Sequence, residues 1–170
     1  MSTSIALERV APDTRIVLER LWQLYRHDLS EFRSSMVPEA DGTYPLRHLP
    51  DYLDHADRAA YLMLVDERPV GFALVAGLET GPRSISEFFV VRALRRQGVG
   101  YDAAVELLRV HPGAWEVAFQ EENPAAARFW RRIIAEVADT SYEERHPVPG
   151  KPELPPDVII TFDPNKVSTS

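Results

Sequence analysis

Between Ile85 and Gly100 the chain reads ISEFFVVRALRRQGVG, and this stretch constrains the fold more than any other. Its first half, Ile85 to Val91, is rich in β-branched and aromatic residues and predicts a buried strand. Arg92 to Gln97 forms a basic turn that runs into Gly98-Val99-Gly100, and from Tyr101 to Leu108 apolar residues recur at helical spacing. The order is therefore strand, Arg-rich turn, Gly-x-Gly, helix. Glycines at a helix start let the backbone approach a ligand with no Cβ in between. The open N–H groups of the first helical turn then point at an anion. With Arg92, Arg95 and Arg96 beside it, the turn reads as a pyrophosphate cradle.

The rest of the chain supplies the elements around that core. Ser4 to Val10 predicts a strand, and Pro12-Asp13 opens a helix that presents Ile16, Leu18, Leu21, Trp22, Leu24, Tyr25 and Leu29 on its apolar face, up to about Phe32. Arg33 to Pro50 is irregular, and a short helix is expected from Pro50 to Ala56. Ala60–Val65 and Val70–Leu78 form an antiparallel hairpin around a turn from Asp66 to Pro69. Gly81-Pro82 turns the chain into the organising strand. A helix from about Gly98 to Val110 ends at His111-Pro112-Gly113, and Trp115–Gln120 is another strand. Asn123-Pro124 starts a helix to about Val137, with Asn as N-cap and Pro in the first turn. Ser141–Arg145 and Val158–Phe162 are late strands, separated by a Pro-rich loop from Pro147 to Pro156. The expected architecture is α+β: one domain over 1–163, a mixed and mostly antiparallel sheet flanked by helices, and one parallel crossover through the Gly98 helix. Residues 164–170 read as a loose tail.

Composition removes several function classes. A chain of 170 residues with 45% apolar and 26% charged residues can build a real core. Its 26 acids against 19 Lys and Arg give a net charge of −7, which speaks against a general nucleic-acid-binding surface. With no cysteine there is no disulfide, no Cys-ligated metal and no thiol nucleophile. The N-terminus carries no signal pattern and no run is long enough to span a membrane, so a cytoplasmic protein with no membrane partner is the expectation.

The pattern Arg95-x-x-Gly98-x-Gly100 resembles the acetyl-CoA-binding motif of the GNAT superfamily of N-acyltransferases. A second match lies in Asn123-Pro124-Ala125-Ala126-Ala127-Arg128-Phe129-Trp130, where family members often carry an Asn followed by an aromatic pair; the usual tyrosine is Trp130 here. The resemblance extends from about Ile5 to Phe162. It implies acetyl-CoA as co-substrate, wedged between two strands that splay apart. The residues it assigns to that ligand are Val90, Val91, Arg92, Arg95, Arg96, Gln97, Gly98, Val99, Gly100 and Tyr101, with Asn123, Phe129 and Trp130 at the thiol end. Main-chain N–H groups near Val91 would form a small oxyanion hole. The resemblance also implies that a carboxylate on the organising strand takes the acceptor's proton. Glu87 is the candidate base, because it lies in an otherwise apolar run, where an unpartnered carboxylate is costly.

Each reading has a rival. Gly98-x-Gly100-x-x-Ala103 also fits a dinucleotide fingerprint, with Glu121 or Glu122 as the ribose ligand. That fold expects the strand to end almost at the first glycine, however, and here Arg92 to Gln97 intervene. The glycines also suit a plain turn, Glu87 a salt-bridged edge, Asn123 a simple N-cap, and Trp130 the core. A non-catalytic acyl-CoA-binding or sensing module would keep the cradle and lack the acid. Asp51, Asp54, His55 and Asp57 show no recognised metal-ligand spacing, so no metal is expected. Trp130 does not titrate and cannot serve as general acid, which leaves Tyr101, Tyr142 or unaided thiolate departure, the last being the expectation. The acceptor, a small-molecule or peptide amine, would meet Tyr25, Asp28, Glu31, Tyr44 and His48, where acids would favour a cationic amine. Pairing with a second copy of the chain stays open.

Overall fold

The computed structural model describes residues 4–138 and 141–164. Strand β1 (Ile5–Arg9) leads to helix α1 (Arg15–Leu29) and short helix α2 (Asp51–Asp54). Strands β2 (Arg58–Val65), β3 (Arg68–Ala76) and β4 (Arg83–Val90) follow, then α3 (Val99–Val110), β5 (Trp115–Gln120), α4 (Pro124–Ala138), β6 (Tyr142–Arg145) and β7 (Asp157–Phe162). They form one seven-stranded sheet in the order β1-β2-β3-β4-β5-β7-β6. Only the β4–β5 pair is parallel, and α3 makes the crossover between those strands. The α+β architecture and the single parallel crossover are as the sequence predicts.

From Ala59 in β2 and Val70 in β3 these strands are apolar to their ends, because both faces are covered. In β2, Ala59, Tyr61, Met63 and Val65 join the core under α3 and α4, while Ala60 and Leu62 join the core under α1 and α2. In β3, Ala73 and Val75 face the first core and Phe72 and Leu74 the second. Fully burying a side chain such as Trp22 or Phe72 contributes on the order of 1.5–3 kcal/mol.

Element ends differ from the sequence reading for local reasons. The hairpin turn is Asp66-Glu67 alone, both at positive φ (48° and 62°), so β3 starts at Arg68. Pro69 is tolerated in the strand because the register shifts beside its partner Leu64. Pro12-Asp13 form a turn before α1, where the Ala11 N–H donates to the Thr14 hydroxyl (2.9 Å). After Leu29 the chain continues to Arg33 in i→i+3 turns, so α1 stops before Phe32. Along α1 the buried stripe is Leu18, Leu21, Trp22 and Arg26, while Ile16 and Leu24 stay about half exposed. A helix buries positions i, i+3, i+4 and i+8, whatever residues occupy them. The acidic cluster serves local structure: Asp51 pairs with Arg58 (3.2 Å), and Asp57 accepts the Glu79 and Thr80 N–H groups (2.7 and 3.0 Å). The tail beyond Pro164 lies outside the described residues.

One irregularity sets up the site. β4 pairs with β3 at Leu74↔Glu87 and Val75↔Ile85, which leaves Ser86 as an extra, exposed residue. This β-bulge reverses the alternation of side chains. Ile85 faces α3 and α4, but Phe89, at the same parity, faces α1. Glu87 is thereby turned to the α1 side, where Tyr25 meets it.

Candidate active site

β4 and β5 pair only at Arg83↔Trp115, Ser84↔Glu116 and Ile85↔Val117, and beyond those residues the second half of β5 pairs with β7 alone. The upper half of β4 thus has one open edge. The Val91 N–H itself donates to Val70 O (2.8 Å), so it is not available for an oxyanion. In an antiparallel ladder alternate residues bond to the partner. With Val91 bonded to β3, the Phe88 and Val90 backbone groups point the other way, toward the gap. Of the N–H groups on this open edge, that of Val90 is next to Val91. Val90 O accepts from Arg95 Nε (2.7 Å).

α3 begins beside this open edge. Gly98 caps it at φ +87°, a left-handed conformation that a side chain would strain. At Gly100 a Cβ would stand 3.3 Å from the Phe129 ring and 3.7 Å from Phe88. The first N–H to close onto the cap is that of Asp102, on Gly98 O (2.9 Å), so the preceding N–H groups have no helical acceptor. A cleft of about 840 Å³ opens in front of them, bordered by Val90, Gly98, Gly100 and Trp130 on one side and Tyr25 on the other. A pyrophosphate fits a turn of this kind: bare backbone, open N–H groups and cations at the rim.

The remaining donor-side residues divide into those that line the cleft and those that support it. Arg92, Arg95, Arg96, Tyr101, Asn123 and Phe129 line it. Val99 is buried beneath it, and the Gln97 side chain donates back to Ala93 O (2.7 Å). Arg92 and Arg95 are both held by Asp28 of α1, the first at 2.9 Å. Burial alone would raise the Asp28 pKa, but the bonds from Arg95 and Arg92 outweigh it and hold it below the ordinary value. Tyr101 bonds to Glu136 of α4, which with its partial burial raises its pKa, and Arg132 lies 5.7 Å over its ring. Asn123 caps α4 by accepting the Ala126 N–H (3.2 Å). Trp130 is 6% exposed and packs edge-on against Phe88 (5.1 Å) and Phe129 (4.9 Å). Tyr142 stands level with Phe162 and Trp115, at the end of the sheet opposite the gap.

On the other side of β4, one oxygen of Glu87 accepts from the Tyr25 hydroxyl and the other lies 3.1 Å from His48 Nε2. Burial, and then the Glu87 charge, push the Tyr25 phenol well above its usual range, so it stays a donor. His48 is placed by Trp22, whose ring meets it edge-on at 5.7 Å and whose Nε1 donates to Pro45 O (3.0 Å). Tyr44 is buried away from Glu87, and its backbone is clamped at both N and O by the Gln23 amide (2.6 and 3.0 Å). Tyr44 therefore anchors the loop that carries His48. Glu31 is exposed and lines the cleft beside Phe32. Asp28 faces the basic turn and not this carboxylate. Sequence reasoning missed Arg26 here, together with Arg33 and Arg47, which lie close enough to act on its charge, as Glu87 does. The signal for Arg26 was present, since it is four residues after Trp22 on the buried stripe.

The strand order and the single parallel pair set this sheet apart from a doubly wound dinucleotide fold. Among curated proteins none matches the sequence. Among solved structures, an acetyltransferase from Thermus thermophilus superposes with a TM-score of 0.68 at 16% identity, covering 94% of this chain and 97% of that one. The ribosomal-protein-S18-alanine N-acetyltransferase from Escherichia coli gives 0.62 at 10% identity, covering 94% of each chain. An Arabidopsis thaliana protein in complex with the bisubstrate analogue CoA-Ac-MVNAL gives 0.60 at 14% identity, covering 94% and 99%. At these identities the likeness is one of fold. The family model "Acetyltransferase (GNAT) family" matches residues 18–134, which spans α1 through most of α4 and takes in both sides of the cleft. With more than half of its 170 residues matched, the chain belongs to the GNAT acetyltransferase family.

Proposed function

We propose that the protein transfers the acetyl group of acetyl-CoA directly to a primary amine, with Glu87 as the base. The observation that carries this reading is the Glu87 carboxylate, turned by the Ser86 bulge to the α1 side of the open half of β4 and oriented by Tyr25 and His48. The α3 start, Gly98 to Tyr101 with Arg95 and Arg96, supplies the phosphate cradle, and a solved neighbour of the same fold binds a CoA-based bisubstrate analogue. The amine gives a proton to Glu87 as its nitrogen forms the new bond to the thioester carbonyl carbon. The carbonyl oxygen becomes an oxyanion facing the Val90 N–H. On collapse the C–S bond breaks and CoA leaves as thiolate, which a thiol pKa of about 8.5 permits without a general acid. The proton on Glu87 passes to solvent.

The test is an assay of acetyl-CoA against a panel of amines, reading free thiol. Amine-dependent thiol release is expected, and Glu87→Gln should lower kcat by about 10²- to 10⁴-fold with acetyl-CoA affinity unchanged. Tight acetyl-CoA binding with no amine-dependent release would favour a non-catalytic binding module. Turnover of the variant within a few-fold of the parent would move the base elsewhere.

A further inference from the structure

Arg26 plays no part in the acetyl transfer described above, yet it lies next to the groups that perform it. It is 8% exposed, and its Nε has no hydrogen-bond partner among the described residues. Its guanidinium carbon stands 5.6 Å from the centroid of the Trp22 ring. The same ring packs against Tyr25 at 5.6 Å and His48 at 5.7 Å, the two residues that hold Glu87. The carboxylate that acts on Arg26 is Glu87, which is already bonded on both oxygens.

A buried guanidinium nitrogen without a partner, as Arg26 Nε is, is costly. Its neighbours add to that cost: burial pushes the Arg26 guanidinium below its usual value, and Arg47 and Arg33 push the same way, against Tyr25 and Glu87. Arg33 is fixed by Gln120 of β5 (2.6 Å), so it cannot swing away without losing that bond. Two further cations thus act on Arg26, against a carboxylate, Glu87, that is already engaged by Tyr25 and His48. Such a field disfavours an ammonium or a polycation and leaves room for a negative charge. A guanidinium fork matches a carboxylate with two parallel hydrogen bonds.

We propose that the acceptor is an amine that also carries a carboxylate, such as a free amino acid, with its carboxylate paired to Arg26 and flanked by Arg47 and Arg33 while its nitrogen reaches Glu87. This rests on the N-acetyltransferase reading and narrows its substrate. It also reverses the sequence expectation of a cationic acceptor, because Asp28 is engaged with the basic turn.

The experiment sets amino acids against the same amines without the carboxylate: phenylalanine against phenethylamine, leucine against isoamylamine, γ-aminobutyrate against propylamine. Acetyl-CoA is held saturating, and both parent and Arg26→Met are assayed. The carboxylate member of at least one pair should show a kcat/KM at least tenfold higher, mostly through KM. Arg26→Met should collapse that ratio toward one, and Arg26→Lys should restore part of it. A general loss of fold would lower both members alike and leave the ratio standing. Equal or better turnover of the carboxylate-free amines, or a preference that survives in Arg26→Met, overturns the proposal while N-acetyl transfer stands. If no member of any pair is turned over, the N-acetyltransferase reading fails for these acceptors. Thermal stabilisation by N-acetylphenylalanine over N-acetylphenethylamine in saturating CoA then decides the subsite: an Arg26-dependent difference supports it, and none overturns it.

Discussion

On the donor side of the cleft, Val90 through Tyr101 lie in one unbroken run of chain, and the strand end, basic turn and helix start follow from one another. On the proposed acceptor side, Tyr25, Arg26, His48 and Glu87 come from a helix, a loop and a strand, up to 62 residues apart along the chain. The donor side works through backbone: open N–H groups, a left-handed Gly98 and a Gly100 where a Cβ would crowd the Phe129 ring. The acceptor side works through side chains that hold each other. A site made of backbone tolerates change in side chains and fails when a glycine gains one. A site made of mutually bonded side chains loses function in steps, as each support is removed. Asp28 joins the two sides, since it sits on α1 beside the acceptor residues yet grips Arg92 and Arg95 of the donor turn.

The largest effect should come from Gly100→Asp. The new carboxylate would press on Phe129 and repel phosphates, so acetyl-CoA binding should vanish by calorimetry while the circular dichroism spectrum is kept. Normal affinity in a folded variant would remove the cradle from the donor side. Next is Tyr25→Phe, which deletes the bond to Glu87. A hydrogen bond to a charged group is worth roughly 1.5–3 kcal/mol, so kcat should fall about 10- to 100-fold. Acetyl-CoA affinity should hold; if it drops in parallel, the two sides are not separable as drawn.

Asp28→Asn probes the link between them. It releases two partly exposed arginines toward the phosphates, and exposed pairs are worth on the order of 1 kcal/mol or less. Acetyl-CoA affinity should rise by no more than about fivefold. Because Asp28 is held below its ordinary pKa, its tie to the basic turn contributes stability above the ordinary Asp value near ~3.9 and loses it as pH falls through the lower folded value. Denaturant titrations of parent and Asp28→Asn at several acid pH values should therefore converge as pH falls through that window. A gap that stays constant into acid would show that the ion pairs do not form in solution.

The smallest effect is expected at Trp130→Phe, which keeps an aromatic ring against Phe88 and Phe129 and loses the indole N–H with part of the ring system. Activity should stay within a few-fold, and the kcat–pH profile of the parent should show no falling limb from a tyrosine. Tyr142→Phe, at the far end of the sheet, should match the parent. An alkaline limb that disappears in Tyr101→Phe would replace unaided thiolate departure with acid catalysis.

The sequence alone determined the strand, basic turn and helix start that form the proposed donor side, and most of the architecture, because those rest on local rules. β-branched runs, Gly-x-Gly before a helical period, and an Asn-Pro helix start all act over a few residues. The family resemblance carried by Arg95, Gly98, Gly100 and Asn123 to Trp130 is likewise contiguous. Glu87 was legible as an acid in an apolar strand, but the face it points to was not. That depended on Ser86 being left out of the β3–β4 ladder, a matter of register between two strands, and an unbulged strand would have turned Glu87 into the other core. The open N–H at Val90, and not Val91, follows from the same ladder. Arg26 stands on a helical stripe the sequence displays, yet the fold alone brings the charges of Arg33, Arg47 and an already engaged Glu87 to bear on it and leaves its Nε without a partner. Pairing register and long-range charge balance are properties of the folded chain, so only the tertiary structure decided which side chains meet at the acceptor end.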